Sequence, residues 1–443
     1  MDTPVTQYAR TKDVYIAYQV FGDAPQDLIF IPGFIFHMDL QWDEPSLAQF
    51  NRDLAKHFRM IMFDKRGTGL SDRHGNAPTF EERIEDIEAV MEATGSKKAA
   101  IFANSESGPI ALLMAATFPE RVSHLIIFGS FAKGSGAPDY PWMPKSGYET
   151  FIDTLVNNWG KPETLAPWAP DHVDDTFLVE WWGRAVRSAG SPGMVRNLMR
   201  MMGNVDVRDI LPSVRVPTMI IHRKGDKMAN IENGRYLAAH IPNAKMVELE
   251  GNSHLWWLDD YNAIIDAAVG FIKSNETPIT SPTQRILSTI LFTDIVDSTK
   301  KASQLGDTAW RKMIERHDAI VKKEIKAHRG TWIKSTGDGC LATFDSPSRA
   351  LRCAESLHRL MGALGIQIRV GLHTGECELI NNDITGIAVN IAARLLNHAD
   401  NGAIACTETV KSLVIGSGFT FEDKGKHTLK GVEGEWQVYR CHV

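Results

Sequence analysis

Six polar residues in the last third of this 443-residue chain, Asp294, Lys334, Asp338, Asp383, Asn390 and Arg394, have types and spacing suited to phosphate chemistry. Asp294 follows the apolar, β-branched run Ile286–Phe292, which reads as a buried strand. Asp338 occupies the turn Gly337-Asp338-Gly339 of a hairpin that follows a helical stretch ending at Gly330. Two carboxylates at adjacent strand ends suit a pair of hard divalent cations, Mg2+ or Mn2+, which prefer oxygen ligands and retain waters and phosphates. Lys334 lies on the same hairpin as Asp338. Asn390 and Arg394 stand at i and i+4 of a helical pattern and so share one face. Singly, Asp338 would be a turn former and Asp294 a strand-end cap; the set is what points to catalysis.

A second constellation lies in the first half. Ala103-Asn-Ser105-Glu-Ser-Gly follows an apolar strand and opens a helical pattern, the context of a tight turn that lifts a serine hydroxyl clear of a sheet. Asp226 comes just after a later strand, and His254 later still. The three stand in the chain order serine, aspartate, histidine.

The elements that must position these groups divide the chain. Its length exceeds one ordinary core, so two domains are expected. Residues 1–275 alternate short apolar runs with helical patterns, which predicts an α/β, doubly wound parallel sheet. Its clearest strands are Leu28–Ile31, Met60–Phe63, Ala99–Phe102, His124–Phe128 and Thr218–Ile221. Residues of about 133–210 interrupt the rhythm and hold Trp142, Trp159, Trp168, Trp181 and Trp182, as a helical cap would. Those rings could line an apolar ligand cavity or simply pack the cap. Residues 276–284 are polar and proline-bearing, hence a linker. Residues 285–443 then read strand, helix (Ala302–Ala327), hairpin, helix (Ser348–Ala363), strand (Gln367–Leu372), an α+β ferredoxin-like βαββαβ core.

The C-terminal set resembles the class III nucleotidyl cyclases over roughly residues 285–443. The matching stretches are Phe-Thr-Asp294-Ile-Val-Asp-Ser-Thr, Lys334-Ser-Thr-Gly-Asp338-Gly and Asp383…Asn390-Ile-Ala-Ala-Arg394. The resemblance implies two divalent cations on Asp294, Asp338 and the Ile295 carbonyl, with Arg394 on the α-phosphate and Asn390 orienting the ribose. It implies base reading by Lys334 and Asp383, and a site shared between two chains of a homodimer. Lys334 only donates and ionised Asp383 only accepts, which matches adenine and mismatches guanine, so ATP is the expected substrate. The segment from Glu378 to Gly386 is short for the dimerisation arm of many relatives.

The first half is similar to the α/β-hydrolases over roughly residues 10–273, in the order Ser105, Asp226, His254 and in Phe63-Asp-Lys-Arg-Gly-Thr-Gly-Leu-Ser-Asp72. That similarity implies oxyanion-binding backbone N–H groups at Phe34 and Glu106. Two departures stand out: Ala-x-Ser-x-Ser replaces Gly-x-Ser-x-Gly, and Pro32-Gly33 replaces the His-Gly of many relatives. The chain is thus expected to be an adenylate cyclase with an N-terminal esterase or ligand-sensor domain for a small apolar ligand or ester. The rival reading is an active serine hydrolase carrying a silent, nucleotide-binding cyclase-like domain.

A formal charge of −6 argues against a nucleic-acid-binding surface. The N-terminus lacks a signal-peptide pattern, and no apolar run is long enough for a membrane span. Five cysteines, odd in number and all after residue 339, suggest reduced thiols in the cytoplasm, with Cys340 packing rather than reacting.

Overall fold

Strands buried on both faces need continuous apolar sequence, and Ala99–Asn104 and Thr218–Arg223 are buried at every position. A computed structural model describes residues 3–12, 14–34, 36–73, 77–137, 139–140, 145–275, 284–380 and 383–442. The chain divides into two units, Met1–Ile279 and Thr280–Val443. The expected linker falls almost wholly outside the described residues; its last residue, Gln284, already belongs to the strand Gln284–Ile295.

In the first unit eight strands form one sheet, and the five predicted strands are all in it. The sheet is mixed rather than all parallel. Gln7–Thr11 and Val14–Phe21 form an antiparallel hairpin on one side, and Val14–Phe21 pairs antiparallel with Arg59–Phe63. From Arg59–Phe63 through Asp27–Ile31, Ala99–Asn104, Val122–Phe128 and Thr218–Arg223 to the edge strand Lys245–Leu249, every pairing is parallel. The edge strand was missed because none of its residues is fully buried and Lys245 and Glu248 break up its apolar residues. Helix Phe80–Ala93 starts with a capping box in which the Thr79 side chain and Glu82 satisfy each other's backbone donors. Between Val122–Phe128 and Thr218–Arg223 the helices Lys145–Asn157, Thr176–Ala189 and Pro192–Asn204 replace strands. Trp159, Trp168, Trp181 and Trp182 are buried there, while Trp142 lies outside the described residues.

In the second unit the core strands lie in the order Thr331–Ser335, Gly339–Phe344, Gln284–Ile295, Ile368–Ile380, the ferredoxin-like arrangement. The single predicted helix over 302–327 is two, Ser298–Leu305 and Asp307–Ala327. Gly306 separates them with φ of +73°, a left-handed conformation that ends a helix at little cost only for glycine. The strand predicted at 367–372 runs on to Ile380, pairing with Gln284–Ile295 over its length. It then folds back as the short strand Asp383–Thr385.

Candidate active sites

The register of the second sheet brings the two metal-type aspartates together. Gly339 faces Asp294 across one antiparallel ladder, so Asp338 is one residue from the partner of Asp294. Burial and the neighbouring Asp338 carboxylate push the Asp294 pKa up, while Arg369, whose Nη2 donates to Asp294 Oδ2 at 2.6 Å, opposes the rise. Arg369 is the Cα partner of Asp294 on the opposite strand. Sequence reasoning passed over it, although a lone charge in the apolar run Ile368-Arg-Val-Gly-Leu372 is a usable signal. Ile295 is buried beside the pair. Among the described residues no group of three or more His, Cys, Asp or Glu side chains is placed to hold a metal ion by itself. A paired carboxylate whose members repel one another nonetheless fits a divalent ion that takes its other ligands from water and phosphate.

Lys334 and Asp383 also meet. Lys334 Nζ donates to Asp383 Oδ2 at 2.5 Å across two strands, and that bond, with the Ile384 N–H, lowers the Asp383 pKa. Asn390 and Arg394 lie on the helix Ile387–Leu395, both exposed, and Arg394 Nε donates to the Lys430 carbonyl at 3.0 Å. Cys340 is buried on the other face of the sheet, against the helices Asp307–Ala327 and Pro347–Ala363, and burial pushes its thiol up to about 12.

In the first unit Ser105, Asp226 and His254 converge. His254 Nε2 is 2.7 Å from Ser105 Oγ, and His254 Nδ1 is 2.7 Å from Asp226 Oδ2. Ser105 has φ of +53°, the strained turn expected of a nucleophile elbow. Burial works to raise the Asp226 pKa, but His254 and the Ala229 N–H outweigh it and hold the carboxyl low. Asp226 Oδ1 accepts from the Met228 and Ala229 N–H groups at 2.9 and 3.0 Å, which fixes the carboxylate. The His254 loop is held by Arg223, a buried residue not foreseen. Its guanidinium donates to the Ser253, Leu255 and Leu258 carbonyls at 2.9, 2.8 and 2.5 Å. The His254 N–H donates to the Trp168 carbonyl at 2.6 Å, tying the histidine to the cap.

The cavity over Ser105 encloses about 600 Å³, its mouth included, and is lined by Phe34, Trp159, Trp168, Trp182, Trp256 and His254 among others. Among the described residues no Asp, Glu, Lys or Arg lines it. Gly33 lies so close to the elbow that a Cβ there would come within 2.3 Å of Asn104 Oδ1. The departure to Pro32-Gly33 therefore keeps the residue that lets this loop approach the serine.

Residues 28–261 match the family model of the alpha/beta hydrolase fold. The chain belongs to the alpha/beta hydrolase family. Residues 282–442 match the adenylate and guanylate cyclase catalytic domain, so a class III cyclase domain follows the hydrolase domain. A Rhizobium meliloti protein that carries the name of an adenylate cyclase is 30% identical over 159 residues, covering 34% of this chain and 27% of its own length. This chain thus spans about a quarter of that relative. Serine hydrolase BPHL of Homo sapiens is 26% identical over 261 residues, covering 57% of this chain and 82% of that protein. An esterase structure from Exiguobacterium antarcticum superposes with a TM-score of 0.54 at 22% identity, over 61% of this chain and all of the other, and shows the shared fold. No helix among the described residues is long and apolar enough to cross a membrane.

Proposed function

We propose that this protein is an adenylate cyclase that converts ATP to 3′,5′-cyclic AMP and pyrophosphate at a site shared by two copies of the chain. The observation that carries the reading is the meeting of Asp294 with Asp338 at adjacent strand ends, beside a hairpin whose Lys334 is bonded to Asp383. Cyclisation needs the ribose 3′-hydroxyl to lose its proton, form a bond to the α-phosphorus and expel pyrophosphate. Asp294, Asp338 and the Ile295 carbonyl would hold two divalent ions, Mg2+ or Mn2+, which supply charge for the entering alkoxide and the leaving phosphates. Arg394 offers forked donors to the charge growing on the α-phosphate, and Asn390 orients the ribose. Lys334 donates to adenine N1, and Asp383 accepts from the 6-amino group.

Exposure of Asn390 and Arg394 supports a shared site. So do Leu379, Ile380 and Ile387, 37%, 46% and 56% exposed, which flank Asp383 and Asn390 and offer apolar area to a second copy. Five free, buried cysteines suit a reducing cytoplasm. For the first domain, the contact between Ser105 and His254 favours an active serine hydrolase of small, uncharged esters over a silent sensor. There His254 takes the Ser105 proton and the N–H groups of Phe34 and Glu106 receive the oxyanion.

The test is cyclic AMP formation by the full chain from ATP with Mn2+. Asp294→Ala and Asp338→Ala should each abolish it, and either variant acting at near wild-type rate in saturating Mn2+ would defeat the assignment.

A further inference from the structure

Behind the serine turn lies a buried charged group that the triad does not use. Glu106, the residue after the nucleophile, is enclosed with Lys65 and Arg83; its carboxylate accepts from Lys65 Nζ and, at 2.7 Å, from Arg83 Nη1. Burying three charges is costly unless they do more than neutralise each other. One arginine would already balance one glutamate, so Glu106 does not need the lysine for neutralisation alone.

Where that lysine donates is informative. Besides Glu106, Lys65 Nζ lies 3.1 Å from the Pro32 carbonyl, 2.5 Å from the Gly33 carbonyl and 3.5 Å from the Phe34 carbonyl. Ser107, which stands where the family's elbow has glycine, donates its hydroxyl to the same Pro32 carbonyl at 2.6 Å. In a trans peptide the C=O and the following N–H point to opposite sides. A cation gripping the Gly33 carbonyl from behind therefore turns the Phe34 N–H to the other side, and both Gly33 and Phe34 line the cavity over Ser105. The second donor is held the same way, because Ser130 Oγ donates to the Ser105 carbonyl at 2.5 Å and so aims the Glu106 N–H forward.

We propose that Lys65 is the positioning residue of the oxyanion hole: one ammonium binds the Gly33 carbonyl and the Glu106 carboxylate, and so fixes both N–H donors relative to Ser105. This rests on the hydrolase reading above. A tetrahedral intermediate gains most from donors already in place, so the loss of this grip falls on the chemical step. Arg83 supplies the comparison. It pairs with the same carboxylate, whereas the three loop carbonyls face Lys65.

The experiment is steady-state hydrolysis of p-nitrophenyl acetate by the full chain and its Lys65→Met, Lys65→Arg and Arg83→Met variants, with melting curves for each. Lys65→Met leaves Glu106 paired with Arg83, so the buried group stays balanced. Lys65→Arg keeps the charge but replaces a point donor with a flat fork. In the lysine variants kcat should fall by about 10²-fold for Lys65→Met and at least about tenfold for Lys65→Arg, with KM within about threefold. Arg83→Met should cost stability yet keep kcat within about threefold. Equal kcat losses in Arg83→Met and in whichever lysine variant folds would reduce Lys65 to a counter-charge and overturn the inference alone. Absence of wild-type turnover would overturn the hydrolase reading and this inference with it.

Discussion

Arg369 and Asp294 are bonded at 2.6 Å, and their Cα atoms are partners in the same ladder, so one candidate metal ligand carries a built-in counter-charge. Without that arginine, burial and Asp338 would act unopposed on the Asp294 carboxyl. A nucleotide arriving with a divalent ion can take both partners, the ion the carboxylate and the phosphates the guanidinium. Replacing Arg369 by Met should therefore lower kcat/KM for ATP at least about tenfold while the domain stays folded. Cyclic AMP formation at varied ATP and Mn2+ measures this, and an unchanged value would make Arg369 a purely structural partner.

Base choice rests on Lys334 and Asp383. Each single change, Lys334→Glu or Asp383→Cys, should depress ATP turnover severely, because one polar edge is left unpaired. The double change reverses one contact and replaces the other by a weak donor, which suits guanine better. The ratio of kcat/KM for ATP over GTP should swing by about 10²-fold, from roughly 1–3 kcal/mol at each contact. An unchanged ratio would mean that these residues do not touch the base.

Ser105 should react with a fluorophosphonate probe, since His254 lies within hydrogen-bond distance of its hydroxyl. Labelling should vanish in Ser105→Ala and fall steeply in His254→Ala. Folded wild-type protein that takes no label would favour the sensor reading of this domain.

Glu106 predicts part of the acid limb of stability. Burial acts to raise its pKa, but Arg83 and Lys65 overcome that and hold it near about 2. A depressed carboxyl stabilises the fold above its unfolded value and loses that contribution as pH falls through the folded one. The drop from an ordinary 4.5 to about 2 corresponds to about 3 kcal/mol, lost between roughly pH 4.5 and pH 2. Asp64 and Asp86, raised by burial to about 7 and about 6, act in the opposite sense and gain stability on acidification toward pH 4. Urea melts of the full chain should therefore show the first domain losing stability below about pH 4.5, with Glu106 contributing to that loss. In Glu106→Gln the loss below pH 4.5 should shrink; an identical acid limb would contradict the assignment.

Much of both sites could be read from residue types and local pattern, because their geometry is set by short elements. Ser105 lies where an apolar strand meets a helix, and Asp338 in a Gly-Asp-Gly turn, so each announces its own backbone. Asn390 and Arg394 share a helix face by spacing alone. What pattern could not show was pairing at long sequence separation. Arg369 reaches Asp294 because two strands 75 residues apart align in register. Arg223 and Lys65 carry no local signal of burial, yet each is buried because a cluster of backbone carbonyls supplies its partners. The break at Gly306 depended on a single left-handed residue within a sequence of otherwise helical pattern.

The most direct test of a shared adenylate cyclase site is a mixing experiment. Asp338→Ala removes an acidic ligand, and Arg394→Ala removes the α-phosphate contact; each variant alone should be nearly inactive. Mixed dimers should regain cyclic AMP formation, because one of their two sites keeps both aspartates together with the arginine. Mixed dimers that form but stay as inactive as either parent would contradict a site built from two chains.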